Sequence, residues 1–511
     1  MASSPAAVSS TDVFKALTPA QLRWAAIVLA FSNFIVVLDL TVANVSVPHI
    51  AGSLGVSLDQ GAWVITSYAV AEALTVPLTG WLAQRFGAVK LYAICMTGFG
   101  IFSVLCGLSV TLEMIVIARI GQGLCGGLVM PIAQTLLFRV FPDDQRGKAM
   151  LLASMTVMLG PALGPTLGGL ISDNLSWHWV FLINIPFVIV CVVVVTALLT
   201  PIETAIRKVP IDAIGLALMV VWIGALQFML DIGRSHDWFA DPLIIALAVI
   251  AAVGFVVFII WELTEEHPIV DLRIFRHPGF TFGVLSLSLC FGAYFASIVV
   301  IPQWLQTSMG YPAVWAGFIT SCTALTALTT GQLASKALGK FDARLLVSIG
   351  VGWIGCMALA RSQWTSDADF WTFALPQLIQ GFGMSFFILP LTTISLGSVN
   401  QEEMASATGI QNFVRTISIG ISTSIALTVW GNAQQSSYSD LATRLQPDET
   451  IAKLTGAGLS YDQAIRVITA LVERESVTLA IDYLFLITAG VFFLCAAVIW
   501  LAPRPNALGK P

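Results

Sequence analysis

The sequence predicts an all-α polytopic membrane protein, and three of its features lead to that class. Of the 511 residues, 57% are hydrophobic and only 10% are charged, which leaves too little polar surface to cover a soluble protein of this size. The apolar residues form runs of about 20, the length that an α-helix needs to cross the hydrocarbon layer of a bilayer. Basic residues are concentrated in every second break between these runs, so they collect on one side of the membrane.

Fourteen apolar runs predict fourteen transmembrane helices. Two of the runs are separated only by a weak break at Ser109, Thr111 and Glu113. We divide them there because basic-rich loops then alternate with basic-poor loops along the chain. The predicted spans are 24–46, 61–83, 91–110, 112–134, 149–171, 179–200, 213–232, 241–262, 280–302, 315–336, 343–361, 370–396, 406–430 and 479–501.

The orientation follows from the 24 Lys and Arg residues, because basic residues in short loops stay on the cytoplasmic side. Short loops on one side hold only Arg234 and Arg361, four basic residues lie in the long segment before the last span, and Arg119 and Arg415 fall inside spans. The other side is therefore predicted to be cytoplasmic, with both termini on it. Its sixteen basic residues are Lys15, Arg23, Arg85, Lys90, Arg139, Arg146, Lys148, Arg207, Lys208, Arg273, Arg276, Lys336, Lys340, Arg344, Arg504 and Lys510.

A repeated pattern divides the chain into two related bundles. Gln122-Gly123 leading to Pro131 is similar to Gln380-Gly381 leading to Pro390, which predicts a duplicated transporter with its substrate path between the halves. Two further helices are inserted between them, giving a 6 + 2 + 6 arrangement. The polar segment 431–478, with a short amphipathic helix predicted near 461–474, is an outer cap, a partner-docking element or an inert loop. The predicted parts are a cytoplasmic segment 1–23, bundles 24–200 and 280–501, the insertion 213–262 and a cytoplasmic tail 502–511.

Cysteine and histidine indicate neither a disulfide framework nor a metal site. All eight cysteines lie inside predicted spans, where sulfur behaves as a small hydrophobe. The five histidines are scattered without ligand spacing. Residues 1–22 lack an apolar core with a cleavage site, so we expect the first span to be an uncleaved anchor.

Ionisable residues inside the spans are the candidate proton-coupling groups, because each costs at least ~3 kcal/mol in a membrane. Asp39 and Arg119 lie at the same depth, ~10 Å below the outer surface at 1.5 Å per helical residue. A carboxylate held between desolvation and a neighbouring arginine can exchange protons. The pair is therefore a candidate proton-coupling site, and a static ion pair between two helices is the alternative.

Glu72 and Arg415 fall near the predicted bilayer centre. Glu72 is a candidate for proton coupling or for binding cationic substrates, and a crevice position without a specific role is the alternative. For Arg415 a structural pairing or a helix-dipole contact competes with a place in the substrate cavity. The candidate cavity residues are Asn33, Gln122, Tyr294, Gln306, Phe387, Gln411 and Arg415.

The fifth span is dense in glycine and proline, residues that let a neighbouring helix approach closely and that bend the helix axis. This composition favours a mobile interface, and a generic packing seam is the alternative. Its marked residues are Gly160, Pro161, Gly164, Pro165, Gly168 and Gly169.

Several separate motifs resemble those of the drug:proton antiporters of the major facilitator superfamily, in the fourteen-span branch of EmrB-type exporters. The resemblance implies the major facilitator fold, a proton-coupling role for Asp39 assisted by Arg119, and a gating loop with Gly80, Arg85 and Gly87. Gln84 stands in that loop where the wider superfamily usually has Asp. The motifs are Leu38-Asp39-Leu40-Thr41-Val42-Ala43-Asn44-Val45 with Pro48, Gly80 to Lys90, Arg119-Ile120-Gly121-Gln122-Gly123, Gly160 to Gly169, Ser176 to Pro186, and Leu226-Gln227 through Asp237-Trp238.

This resemblance implies a multi-pass protein of the bacterial inner membrane that exports hydrophobic or amphipathic toxic compounds in exchange for protons. The proton gradient is then the energy source, and no cofactor, metal or nucleic acid is expected. EmrB-type members are similar in working with a periplasmic adaptor and an outer-membrane channel, which would be the protein partners here.

Other function classes fit the sequence less well. An ATP-driven pump in one chain is excluded because none of the three Gly-Lys pairs is followed by Ser or Thr. Proton-coupled uptake or symport of a small metabolite is the main alternative, and the signature from Gly160 to Gly169 argues against it. A membrane enzyme is disfavoured because no catalytic or metal-binding set of residues converges at one depth.

Overall fold

The computed structural model describes residues 18–503 apart from 142–145, 205, 207–209, 211, 234–235, 267, 400–402 and 445–446, and no strand occurs within that part of the chain. We number its seventeen α-helices in chain order. They are α1 Pro19–Leu54, α2 Leu58–Thr75, α3 Thr79–Phe86, α4 Ala88–Gly107, α5 Leu112–Val140, α6 Arg146–Asn174, α7 His178–Leu182, α8 Asn184–Leu199, α9 Ala213–Ile232, α10 Pro242–Thr264, α11 Pro278–Thr307, α12 Ala313–Leu338, α13 Ala343–Arg361, α14 Phe370–Gly397, α15 Met404–Arg444, α16 Pro447–Gly456 and α17 Tyr461–Val498.

Helical structure covers each of the fourteen predicted spans. Among the described residues, thirteen helices are long and apolar enough to cross a membrane, and α6, which covers the fifth predicted span, is not one of them. The break between the third and fourth spans lies where the sequence places it, since α4 ends at Gly107 and Thr111 accepts a hydrogen bond from Met114 N at the start of α5. The full count of fourteen spans and the orientation of the termini stay predictions.

Polar residues fix where several long helices begin. The side chains of Thr18, Ser57 and Ser460 each accept a hydrogen bond from the backbone N–H three residues later. In each case the glutamine at that later position bonds back to the capping residue, which satisfies two amide groups that the first helical turn leaves free. These capping boxes open α1, α2 and α17.

Each half of the chain has its own apolar core. In the first half, α1, α4, α5 and α8 pack around buried residues such as Tyr92, Phe99 and Val129. In the second half, α11, α13, α14 and α17 pack around residues such as Val351, Phe387 and Phe492. The inserted helices α9 and α10 pair with each other, and Trp222 of α9 packs against Phe413 of α15.

The two halves meet closely where α6 packs against α12. A Cβ atom added at Gly317 of α12 would lie 2.2 Å from the Pro165 carbonyl oxygen, and one at Gly169 of α6 would lie 2.5 Å from the Ala313 backbone. The hydroxyls of Thr166 and Ser321 hydrogen-bond across this contact at 2.6 Å. Glycine is therefore required for the observed approach of the two helices.

The opposite face of α6 packs against α1. A Cβ atom at Gly164 would lie 2.0 Å from Thr41 Oγ1, and one at Gly160 would lie 2.5 Å from the Val37 side chain. Thr41 Oγ1 also donates a hydrogen bond to the Gly160 carbonyl at 3.1 Å. Helix α6 thus lies between α1 of its own bundle and α12 of the other.

The polar segment 431–478 is mostly helical. Helix α15 continues without a break to Arg444, α16 follows, and α17 begins at Tyr461 and runs through the last predicted span. At 1.5 Å per residue, the 41 residues of α15 extend about 61 Å, roughly twice the hydrocarbon thickness. The amphipathic stretch predicted near 461–474 is therefore the first part of a 38-residue helix.

Candidate functional site

A buried ion pair joins α1 to α5. Arg119 Nη1 lies 2.5 Å from Asp39 Oδ2, and both side chains are fully shielded from solvent. Asp39 is 21 residues into α1 and Arg119 is in the second turn of α5, which enters from the opposite end, so the antiparallel helices bring them level. The sequence predicts that Asp39 and Arg119 lie at the same depth, and the structure shows the two side chains in contact.

Two amide side chains complete the environment of the Asp39 carboxylate. Asn184 Nδ2, at the start of α8, donates to Asp39 Oδ1 at 2.7 Å, and Gln122 Nε2 donates to the same oxygen at 3.1 Å. Gln122 Oε1 in turn accepts from Arg119 Nη1 at 2.9 Å. Asn184 also donates to Ser103 Oγ at 3.1 Å, which ties α4 into the network.

The guanidinium of Arg119 has a second set of contacts on its other side. Its Nε donates to the Val64 carbonyl at 3.0 Å, and its Cζ lies 4.8 Å from the Tyr68 ring centre and 5.0 Å from that of Phe181. Its Nη2 is buried and has no hydrogen-bond partner among the described residues. Arg119 therefore links α5 to α2 and α7, and its Nη2 group remains without a hydrogen bond among the described residues.

This arrangement gives the protonation state of Asp39 a structural consequence. An ionised Asp39 accepts three hydrogen bonds, one from the charged guanidinium of Arg119 and two from neutral amides. A protonated Asp39 would lose its charge attraction to Arg119 and part of its accepting capacity, and the links from α1 to α5 and α8 would weaken. The contacts of α1 with α5 and α8 at this site therefore depend on the charge of the Asp39 side chain.

A separate cavity lies between the two halves and encloses about 280 Å³. Its walls come from α1, α2 and α5 of the first half, from α9 of the insertion, and from α11 and α15 of the second half. Asp39 and Arg119 do not line it, although Leu40, the next residue along α1, does. The lining residues are Val36, Val37, Leu40, Asn44, Ala62, Trp63, Ile65, Thr66, Ala69, Glu72, Met130, Gln227, Leu230, Phe291, Phe295, Val299, Arg415, Thr416, Ile419, Gly420, Thr423, Ser424, Leu427 and Thr428.

Glu72 and Arg415 are the charged residues of this wall. Arg415 Nη2 lies 3.0 Å from Met130 Sδ, and its Cζ lies 5.5 Å from the centre of the Phe291 ring. Met130 belongs to the first half, so Arg415 reaches across the boundary from α15. Both residues were placed near mid-membrane by the sequence, and the structure puts them at one cavity.

Of the seven residues predicted to line a substrate cavity, only Arg415 lines this one. Gln122 belongs to the Asp39 network instead. Gln411 Oε1 accepts from Ser395 Oγ at 2.7 Å, and Gln306 Nε2 donates to the Pro302 carbonyl at 3.1 Å. The remaining three, Asn33, Tyr294 and Phe387, are buried elsewhere in the two bundles.

Sequence reasoning missed some polar residues of both sites. Asn184 was noted only as part of a motif, and Asn44 and Gln227 were not proposed as cavity residues. The available signal was a polar residue within an apolar run, but such a signal does not say which face of the helix it occupies. Arg361, assigned to an outer loop, is 1% exposed, and its Nη1 donates to Gln377 Oε1 at 3.2 Å.

The predicted gating loop is anchored by a distant carboxylate. Gly87 has φ of 87°, a left-handed conformation that favours glycine, and a Cβ atom there would lie 2.6 Å from the Glu203 carboxyl carbon. Glu203 accepts from Val89 N and Lys90 N, both at 2.9 Å, so it caps the start of α4. Arg85 lies over the Trp81 ring at 5.3 Å, while nothing lies within 4 Å of a Cβ placed at Gly80.

Comparisons with known proteins bear on this architecture. The family model described as Major Facilitator Superfamily matches residues 29–423, which include α2 to α14, the Asp39 site, most of the cavity lining and the α6–α12 contact. The chain belongs to the major facilitator superfamily. It is a multi-pass membrane protein of the EmrB type within that superfamily, as its relatives show.

One relative is the multidrug export protein EmrB of Escherichia coli, 39% identical over 501 residues, which covers 97% of this chain and 98% of that protein. Another is the fatty acid resistance protein FarB of Neisseria gonorrhoeae, 39% identical over 494 residues, covering 96% and 97%. Among solved structures, the peptide transporter POT in complex with sulfate has a TM-score of 0.64 at 11% identity, covering 97% of this chain and 99% of that one. At such low identity the last likeness shows only the shared superfamily fold.

Proposed function

We propose that this protein exports hydrophobic or amphipathic toxic compounds across the bacterial inner membrane in exchange for protons. The observation that carries the proposal is the buried Asp39–Arg119 pair. Leu40, the residue that follows Asp39 on α1, lines the cavity between the halves, so the pair is adjacent along α1 to the cavity wall. A buried acid next to a cavity at the boundary of two bundles is suited to couple proton uptake to alternating access.

The relatives support the direction and the substrates. Proteins named for multidrug export and for fatty acid resistance match this chain over nearly their whole length. The cavity has mostly apolar walls with a few polar groups, the composition expected for a site that accepts varied apolar compounds. Both points favour export of drug-like molecules over uptake of a small, highly polar metabolite.

In the proposed cycle, Asp39 takes a proton from the outer side and its attraction to Arg119 falls. The contact of α1 with α5 then loosens, and α1 also packs on α6, whose other face packs on α12. A shift of α1 is thereby transmitted to the contact between the bundles. Binding of a drug from the inner side favours the state in which Asp39 is ionised and paired, and the proton is released inward.

The proton gradient is the proposed energy source, and the cycle uses no cofactor. The partners proposed for export across two membranes are a periplasmic adaptor and an outer-membrane channel. The ends of α15 and α17 that extend beyond their predicted spans, together with α16, lie on the predicted outer side and offer a surface there.

The test is a drug susceptibility panel in a host that lacks its own pumps. Expression of this protein should raise resistance to several unrelated apolar compounds, and intracellular accumulation should fall. A protonophore should restore accumulation within minutes while ATP levels are held constant. Increased rather than decreased accumulation would favour uptake and contradict the proposal, and export that survives collapse of the proton gradient would contradict the energy source.

A further inference from the structure

The cavity between the bundles has one acidic and one basic wall. Glu72 projects from α2 of the first half, and Arg415 projects from α15 of the second half. Much of the remaining lining is apolar, including Val37, Phe291 and Phe295. The two charges therefore face a shared space with apolar walls, where electrostatic interactions are stronger than in water.

Within the described part of the chain, neither charge has an oppositely charged partner, and Arg415 lies beside only the Phe291 ring and the Met130 sulfur. Among the described residues, the Glu72 carboxylate accepts no hydrogen bond and has no cationic nitrogen within the 4.0 Å that defines a salt bridge. Arg415 has one side-chain hydrogen bond, to the thioether sulfur of Met130, which is a weak acceptor. Charges in such a setting are costly until a partner arrives.

A third polar group extends this pattern. Asn44 lines the cavity from α1, and its buried Oδ1 has no hydrogen-bond partner among the described residues. The first half therefore presents two acceptors, Asn44 Oδ1 and the Glu72 carboxylate, while the second half presents the donor Arg415. A ligand that satisfies all three needs a positive or N–H-bearing end toward α1 and α2 and an anionic end toward α15.

We propose that this cavity selects amphipathic zwitterions, with the cationic group bound at Glu72 and the carboxylate bound at Arg415. The inference rests on the proposed function, because it names the substrate class of the same cavity. The apolar body of the ligand packs on Phe291 and Phe295. Glu72 and Arg415 are then the residues that determine specificity, and a bound zwitterion bridges the two bundles.

Binding to the purified full-length protein in lipid nanodiscs tests the charge preference. Four ligands of one chain length isolate the two charges: N-decyl-N,N-dimethylglycine, decyltrimethylammonium, decanoate and decanol. Calorimetric titration below their micelle concentrations gives each Kd. We expect the zwitterion to bind about tenfold more tightly than either singly charged ligand, because each charge-assisted contact adds about 1.4 kcal/mol or more.

Variants assign each end of the ligand. Glu72→Gln should weaken binding of the zwitterion and of decyltrimethylammonium about tenfold and should not weaken binding of decanoate. Arg415→Gln should weaken binding of the zwitterion and of decanoate by a similar factor and should spare the cation. Glu113→Gln and Arg23→Gln are the matched controls, because both residues are exposed and neither lines the cavity.

Equal affinity for the four ligands, or loss of all four in either variant, would overturn the inference. Transport in energised vesicles separates this failure from that of the proposed function. Export of the neutral and singly charged ligands with no preference for the zwitterion would overturn the charge selection alone. Absence of proton-driven export for all four ligands and for known drugs would overturn the proposed function as well.

Discussion

The Asp39 carboxylate is held by three side chains on two different helices, which link α1 to α5 and α8. Arg119 pairs with one oxygen, while Gln122 and Asn184 both donate to the other. Arg119 supplies the opposite charge, and the two amides fix the orientation of the carboxylate. A hydrogen bond to a charged group contributes about 1.5–3 kcal/mol.

Replacement of Asn184 by alanine should weaken the coupling of drug binding to proton release. Loss of the 2.7 Å donor removes the link between α1 and α8 at Asp39, so the carboxylate is positioned less firmly against Arg119. The number of protons released per bound drug, measured with a pH dye on purified protein, should fall. Asn174→Ala, at the exposed end of α6, is the control and should leave that number unchanged. Unchanged proton release by Asn184→Ala would remove Asn184 from the coupling site.

At the residue scale the sequence predicts how deep a polar side chain lies in the membrane, but it does not predict which way the side chain points from its helix. Counting along two antiparallel spans put Asp39 and Arg119 level, and the structure has them in contact. The same counting could not separate Gln122, which turns into its own bundle, from Arg415, which turns into the cavity. In a helix that is apolar on all sides, a hydrophobic pattern does not mark the buried face.

Helix α6 is the element that lies between α1 of the first bundle and α12 of the second. One face receives Thr41 and Val37 of α1, and the other receives Ala313 and the helix turn at Gly317 of α12. Glycines on both faces allow close approach without interlocked side chains, which suits sliding or rocking of one helix on another. The proposed motion therefore belongs to this element.

Gly317→Ala should impair transport, because the new Cβ atom would lie 2.2 Å from the Pro165 carbonyl oxygen, a backbone atom that cannot rotate away. Overpacking of this kind costs about 1–3 kcal/mol. We expect reduced export at normal membrane abundance, measured as drug accumulation against the amount of protein. Gly331→Ala in the same helix is the matched control, since nothing lies within 4 Å of its added Cβ. Equal export by the two variants would contradict the role given to the α6–α12 contact.

Helices α15 and α17 are longer than the spans predicted from the sequence, 406–430 and 479–501. Apolar composition marks only the part of a helix that lies in lipid, so the polar continuation past residue 430 reads as a loop. In the folded molecule Ser460 caps the start of α17, and α15 and α17 pack against each other. Element type was therefore predictable inside the membrane and much less so outside it.

The whole molecule consists of two bundles and an inserted helix pair, with a cavity on the boundary between the halves. The repeat around Gln122-Gly123 and Gln380-Gly381 predicts that the two bundles arose by duplication, which stays a prediction, and the family comparison confirms the superfamily. The relative placement of the bundles could not be predicted, because it depends on which small residues meet across α6 and α12. That information lies in contacts between residues 155 positions apart, as for Thr166 and Ser321.

A disulfide across that boundary should stop the cycle. The hydroxyl oxygens of Thr166 and Ser321 lie 2.6 Å apart, so cysteines at both positions are close enough to be oxidised. Oxidation of the Thr166→Cys/Ser321→Cys variant should abolish drug export, and a reductant should restore it, if the bundles separate there during transport. Each single variant under the same oxidant is the control. Full export by the cross-linked protein would show that this contact stays closed throughout the cycle.

Proton release from the purified protein tests the coupling of Asp39 to transport most directly. Addition of a transported drug to the wild-type protein in weakly buffered solution should release protons, and Asp39→Asn should release none while it still binds the drug. The asparagine keeps the size of the side chain and part of its hydrogen bonding, so folding should be preserved. Undiminished proton release and export by Asp39→Asn would contradict the account, because the buried pair with Arg119 would then be only structural.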